Sequence, residues 1–172
     1  MITMNNIVLV GFMGTGKTTV GLHLEKKTGF PLVDMDHLIE QEAGTSISQI
    51  FATQGEAHFR SLERAMTKKL ATQTNHIIST GGGVVLNPNN LTDFASNGLV
   101  VCLSASPETI LNRVRNDQTR PLLAGDKEQQ IRDLLQRRQP LYDAIPFQVA
   151  TDSRTPEQIA ESILQHYRSL TA

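Results

Sequence analysis

The chain has 172 residues, 39% of them hydrophobic and 19% charged, with a formal net charge of −1. That is one domain's worth of chain, expected to span 1–172, and the composition excludes disordered, collagen-like and coiled-coil classes. No apolar run approaches the ~18–20 residues of a membrane span, the charge balance gives no footprint of a general nucleic-acid binder, and the single Cys102 excludes an intrachain disulfide or a cysteine zinc cluster.

In chain order, short apolar runs alternate with longer amphipathic stretches. The opening MITMNNIVLVGFMG lacks a basic n-region, so no signal peptide is expected, and a cytoplasmic location fits. Ile7–Val10 reads as a buried strand ending at Gly11, and 16–28 as a helix closed by Gly29–Phe30–Pro31. Further strands are expected at Leu32–Asp34, Ile77–Thr80, Val100–Leu103 and Phe147–Ala150. Further helices are expected over about 35–43, 47–72, 88–96, 107–116, 127–138 and 156–169. Ser106–Pro107 and Thr155–Pro156, each followed by Glu, are N-cap and first-turn pairs. This alternation predicts an α/β fold, a parallel sheet with helices on both faces. The polar stretch Arg115–Lys127, with Pro-Leu-Leu-Ala-Gly at its centre, reads as a loop.

The chemistry starts at residues 11–18, GFMGTGKT, a complete G-x-x-x-x-G-K-[ST] motif set between a strand and a helix. Its glycines let backbone N–H groups converge on one point, and the helix N-terminus adds partial positive charge. Lys17 would reach the β- and γ-phosphates of a nucleotide, and the Thr18 hydroxyl would ligate Mg²⁺. The chain lacks the Asn-Lys-x-Asp guanine signature of GTPases. Asp34 ends the second strand and Asp36 follows, at the strand ends where an open α/β sheet binds ligands. One carboxylate would hold the metal's water shell and the other would orient an acceptor hydroxyl or take its proton; either could instead cap the helix that starts there. Glu63, three residues after Arg60 on a helix, is placed to pair with it. The five histidines show no ligand spacing.

With these motifs in order, the sequence resembles shikimate kinases, P-loop kinases related in fold to nucleoside monophosphate kinases. The landmarks are GFMGTGKT, VDMD at 33–36, IFATQGEAHFRSLE at 50–63, GGG at 81–83, RPLLAG at 120–125 and RRQPLYD at 137–143. The resemblance implies a three-layer fold with a five-stranded parallel sheet in the order 2-3-1-4-5, a substrate-binding helical region at about 35–62 and a mobile lid at about 114–127. It implies ATP-dependent phosphorylation of the shikimate 3-hydroxyl in aromatic amino-acid biosynthesis. Asp36, Arg60, Gly81, Gly82, Gly83 and Arg138 would contact shikimate, the two arginines clamping its carboxylate. Gly14, Thr15, Gly16, Lys17, Thr18, Thr19, Arg113, Arg120 and Arg154 would contact ATP, with Arg120 closing from the lid to stabilise transferring charge. Mg²⁺ would sit on Thr18 and, through water, Asp34. Phe51, Phe59 and Leu122 would wall the pocket.

The expected partners are ATP and shikimate, with no nucleic acid or membrane, and the expected state is a monomer. The alternatives are a gluconate or monophosphate kinase, or a nucleotide-binding module without catalysis. The first should lack the combined Arg60, triple-glycine and Arg138 pattern; the second needs neither Asp36 nor Arg120.

Overall fold

The computed structural model describes residues 4–115 and 127–172. Five strands, β1 (Asn6–Val10), β2 (Leu32–Asp34), β3 (Ile77–Ser79), β4 (Gly98–Ser104) and β5 (Gln148–Ala150), form one sheet in the order β2-β3-β1-β4-β5. Every pairing is parallel, with β1 at the centre: Val8 lies opposite Ile78 on one side and Val100 on the other. This is the strand order expected from the resemblance. Among the described residues no helix is long and apolar enough to cross a membrane.

Alternation along β1 explains why all its residues are buried. Ile7 and Leu9 point to one face, where they meet Val20 and Leu24 of α1 (Lys17–Thr28) and Ile159, Ile163 and Leu164 of α8 (Pro156–Thr171). Val8 and Val10 point to the other, into a larger core with Phe12, Met35, Ile50, Phe59, Phe94, Ile110 and Tyr142. Each fully buried branched side chain contributes about 1.5–3 kcal/mol. The helices that build this second face are α2 (Met35–Ala43), α3 (Ile47–Gln54), α4 (Glu56–Ala71), α5 (Pro88–Ser96), α6 (Pro107–Arg115) and α7 (Lys127–Asp143). The first face carries only α1 and α8 among the described helices. The cleft opens at the strand carboxyl ends, beside the larger core.

Most element ends fall within one or two residues of the expectation, and three departures have a physical cause. The single helix over 47–72 is two helices, broken at Gly55, whose φ of 86° lies outside the range of a continuing helix and whose amide closes α3 on the Ile50 and Phe51 carbonyls. Conversely α7 runs past 138 to Asp143 with Pro140 inside it. A proline there removes one N–H. The last turn is held from elsewhere: Ala144 N–H donates to Pro140, and the Gln148 side chain caps the Tyr142 and Ile145 carbonyls. β4 starts at Gly98, because Gly98 pairs with Asn6 at the foot of β1 and a Cβ there would stand 2.9 Å from the Asn6 carbonyl. The expected caps of α6 and α8 are in place. Ser106 Oγ accepts from Thr109 N–H, and Thr155 with Gln158 forms a reciprocal capping box.

Candidate active site

A cleft of about 730 Å³ lies over the carboxyl ends of β1, β2 and β3, a volume typical of small-molecule sites. Four cations, Lys17, Arg60, Arg113 and Arg138, line it with three carboxylates, Asp34, Asp36 and Glu63, so a chain of net charge −1 gathers charges of both signs here with a small positive excess. Its wall is apolar at Met13, Ile47, Phe51 and Phe59, the two phenylalanine rings lying 5.1 Å apart.

One half of the cleft is backbone. Between β1 and α1 the chain turns through Gly14 (φ 76°) and Gly16 (φ 93°), conformations that non-glycine residues rarely adopt. Gly16 is the N-cap of α1, and α1 has no side-chain cap, whereas α2, α3 and α8 are capped by Asp34, Ser46 and Thr155. The N-terminus of α1, carrying the helix dipole, thus opens on the cleft with Lys17, Thr18 and Thr19 along its rim. Lys17 Nζ donates to the Gly11 and Phe12 carbonyls at 2.6 and 3.1 Å, which lays it across the loop. The Thr15 side chain turns inward instead, donating to the Phe12 carbonyl at 2.7 Å, and stiffens the loop from beneath. Arg113, reaching from α6, donates to the Gly14 carbonyl at 2.9 Å and to Thr151 Oγ1 at 3.1 Å, tying the loop to the end of β5.

The other half is side chains from four segments. Asp36 comes from the first turn of α2, Arg60 and Glu63 from α4, Arg138 from α7, and the turn 81–83 from the end of β3. Glu63 is 2% exposed and accepts from Arg60 Nη1 at 3.0 and 3.2 Å. Burial pushes its carboxyl above the usual range, against the opposing pull of Arg60. Exposed Glu56 takes the other edge of the fork, 3.4 Å from Nε and 3.3 Å from Nη2, and Arg60 also lies 5.1 Å over the Phe59 ring. Each glycine of the turn stands beside one of these side chains, and at Gly81 and Gly83 only the missing Cβ leaves them room. A Cβ on Gly81 would meet Asp36 Oδ1 at 2.6 Å, one on Gly83 would overlap the Arg60 guanidinium, and one on Gly82 would sit 3.5 Å from Arg138 Nη1. The Arg138 Nε is buried and has no hydrogen-bond partner among the described residues, an orphan donor at the cleft wall.

The structure therefore gathers Gly14, Gly16, Lys17, Thr18, Thr19, Asp34, Asp36, Arg60, Gly81, Gly82, Gly83, Arg113 and Arg138 around one cavity. It does not bring Arg154 there. That side chain runs along α8, bonded to the Ser162 hydroxyl and the Gln158 carbonyl. Arg120 and Leu122, with residues 116–126 of the expected lid, lie outside the described residues. Sequence reasoning passed over Ser79 and Thr80, which line the cleft at the end of β3; their signal was the strand end itself. Cys102 is buried, its thiol pushed up to about 11 by desolvation, and behaves as a small hydrophobe.

For a metal, the cleft offers oxygen donors. Asp34 Oδ1 caps α2 by accepting from His37 N–H at 3.2 Å, which accounts for one of its two oxygens. The Thr18 hydroxyl stands on the same cavity wall. Among the described residues no group of three or more His, Cys, Asp or Glu could hold an ion. A hard cation that keeps several waters and leans on phosphate fits this sparse oxygen set.

Comparison with known proteins agrees. The profile described as shikimate kinase matches residues 13–168. The chain is 45% identical to the shikimate kinase of Caldanaerobacter subterraneus subsp. tengcongensis, over 97% of this chain and 98% of the other. It is 44% identical to that of Thermodesulfovibrio yellowstonii, over 98% of both. Among solved structures, the shikimate kinase of Acinetobacter baumannii in complex with shikimate superposes with a TM-score of 0.89, at 38% identity and covering 98% of this chain and 96% of the other.

Proposed function

The chain belongs to the shikimate kinase family, an ATP-dependent kinase of the shikimate pathway, and from that premise we propose how its cleft works. The substrate is shikimate and the hydroxyl phosphorylated is the 3-hydroxyl, yielding shikimate 3-phosphate and ADP. One observation carries this reading: two guanidinium groups and a carboxylate, each seated against a different glycine of one turn, line a single cavity with the phosphate loop.

The nucleotide's phosphates take the place that the uncapped α1 N-terminus leaves open, and Lys17 moves from the loop carbonyls onto the β- and γ-phosphates. Arg138 and Arg60 hold the acid's carboxylate, with Glu63 fixing the Arg60 fork from below. Asp36 accepts a hydrogen bond from the attacking hydroxyl, aims it at the γ-phosphorus and receives its proton. Because phosphoryl transfer passes through a loose transition state in most analyses, aim matters at least as much as proton removal. Thr18 directly, and Asp34 through water, would hold Mg²⁺, which when bound supplies charge neutralisation at the phosphates. Arg120 would complete the cationic surround from the lid. All these residues come from one chain, so a monomer suffices.

The test is ADP release from Mg·ATP with shikimate, gluconate, a nucleoside monophosphate or no acceptor. Turnover with shikimate alone is expected. Equal release with gluconate, or release without any acceptor, would contradict the reading.

A further inference from the structure

A buried phenol stands behind the arginines of the cleft. Tyr142 is 3% exposed and stands four residues after Arg138, one turn along the same face of α7. Its hydroxyl donates to the Gly82 carbonyl at 2.5 Å. Its ring meets Phe12 edge-on, with centroids 6.5 Å apart and planes at 83°, and Phe12 belongs to the phosphate loop. Its own carbonyl is held by Gln148 Nε2 at 2.6 Å, from β5. The phenol is thus fixed by a helix, the sheet edge and the loop.

What it grips is the peptide joining Gly82 to Gly83. A Cβ on Gly82 would lie 3.5 Å from Arg138, and one on Gly83 would overlap Arg60, so this peptide sits between the two guanidinium groups. The same Gly82 position is 3.7 Å from Gly11 O and Met13 N, against the phosphate loop. Two adjacent glycines have no side chains through which packing could restrain that peptide. The hydrogen bond from α7 does so.

We propose that Tyr142 is a positioning residue for the acid: its hydroxyl fixes the Gly82–Gly83 peptide so that Arg138 and Arg60 converge on one carboxylate. It acts through Gly82 and through its own hydrogen bond with the Arg138 side chain, and it does not itself line the cleft. Burial pushes the phenol up to about 12, so the hydroxyl keeps its proton and remains a donor at working pH. The inference rests on the reading of this cavity as the shikimate site.

The experiment compares the wild type, Tyr142→Phe, and p-aminophenylalanine at position 142, which returns a para N–H donor. Each is assayed below its melting temperature, read by circular dichroism. Tyr142→Phe is expected to raise the KM for shikimate ~3–10-fold, the scale of one neutral hydrogen bond. The KM for ATP should stay within about twofold, and the amino analogue should recover most of the loss. An unchanged shikimate KM, a parallel rise in both KM values, or a loss the analogue does not restore would overturn the proposal; lower melting alone would mark a merely structural tyrosine. A wild type that turns over without shikimate would instead defeat the reading of the site, and this inference with it.

Discussion

Two glycine-rich turns meet at the floor of the cleft, and they use glycine for opposite reasons. In the phosphate loop the backbone needs it: Gly16 has φ 93° and a Cβ there would meet nothing within 4 Å. In the turn 81–83 the neighbours need it: Gly83 has an ordinary φ of −90°, but a Cβ would displace the Arg60 guanidinium. The nucleotide half is a contiguous backbone device, largely complete within residues 11–19. The acid half is a cage of side chains that come from α2, α4 and α7 and meet only because the third strand ends between them. The first recognises a phosphate, whose charge any ring of amides can hold; the second must recognise one carboxylate and one hydroxyl.

That contrast can be broken by substitution, since each half should fail in its own parameter. Lys17→Ala removes the ammonium of the backbone half and is expected to cut kcat ~1,000-fold, the upper scale for losing a preorganised electrostatic group; residual turnover within tenfold of wild type would remove Lys17 from the mechanism. Asp36→Asn keeps the shape and one acceptor but loses the base, and kcat should fall ~100-fold or more in steady-state assays. Arg138→Ala should raise the KM for shikimate at least ~30-fold while sparing ATP, because losing one partner of the charge pair formed with the bound carboxylate commonly costs about 2–5 kcal/mol; equal losses for both substrates would argue against a carboxylate clamp. Gly83→Ala should act on the acid half alone, with the fold intact because the displaced atoms are the end of a flexible side chain. Its shikimate KM should rise several-fold more than that of Gly82→Ala, whose Cβ would make an ordinary contact.

The smallest effect lies behind the nucleotide half. Asp152 binds the Ser106 amide and accepts from Thr109 Oγ1 at 2.5 Å, anchoring the start of the helix that carries Arg113. The Thr109 hydrogen bond, ahead of the bonds from Ser106, holds its carboxyl below the usual 3.8. A depressed folded value means stabilisation that is present at neutral pH and fades as pH falls through and below about 3.8. Asp152→Asn should therefore lower the melting temperature slightly at pH 7, the gap closing in acid, with kcat unchanged.

The same contrast decides what could be read from the sequence. The phosphate loop was legible because its physics is local: strand, glycines, lysine and helix N-terminus are adjacent in the chain. The acid cage was nameable only through resemblance. Nothing in the spacing of Asp36, Arg60 and Arg138 says that three consecutive glycines will each stand against one of them; that depends on the order β2-β3-β1. The Glu63–Arg60 pair was legible because helical periodicity places it. Tyr142 was not assigned a role, although it lies one turn from Arg138, because its partner is a backbone carbonyl 60 residues away. Gly55 was missed as a break because one glycine within a helical pattern costs only about 1 kcal/mol and is often tolerated.

The account is tested most directly by a crystal structure with Mg·ADP and shikimate bound. The β-phosphate is predicted to lie on the amides of residues 11–18, with the acid's carboxylate bridging Arg60 and Arg138 at about 2.7–2.9 Å and its 3-hydroxyl against Asp36. An acid bound away from both arginines, or phosphates seated elsewhere than that loop, would contradict it.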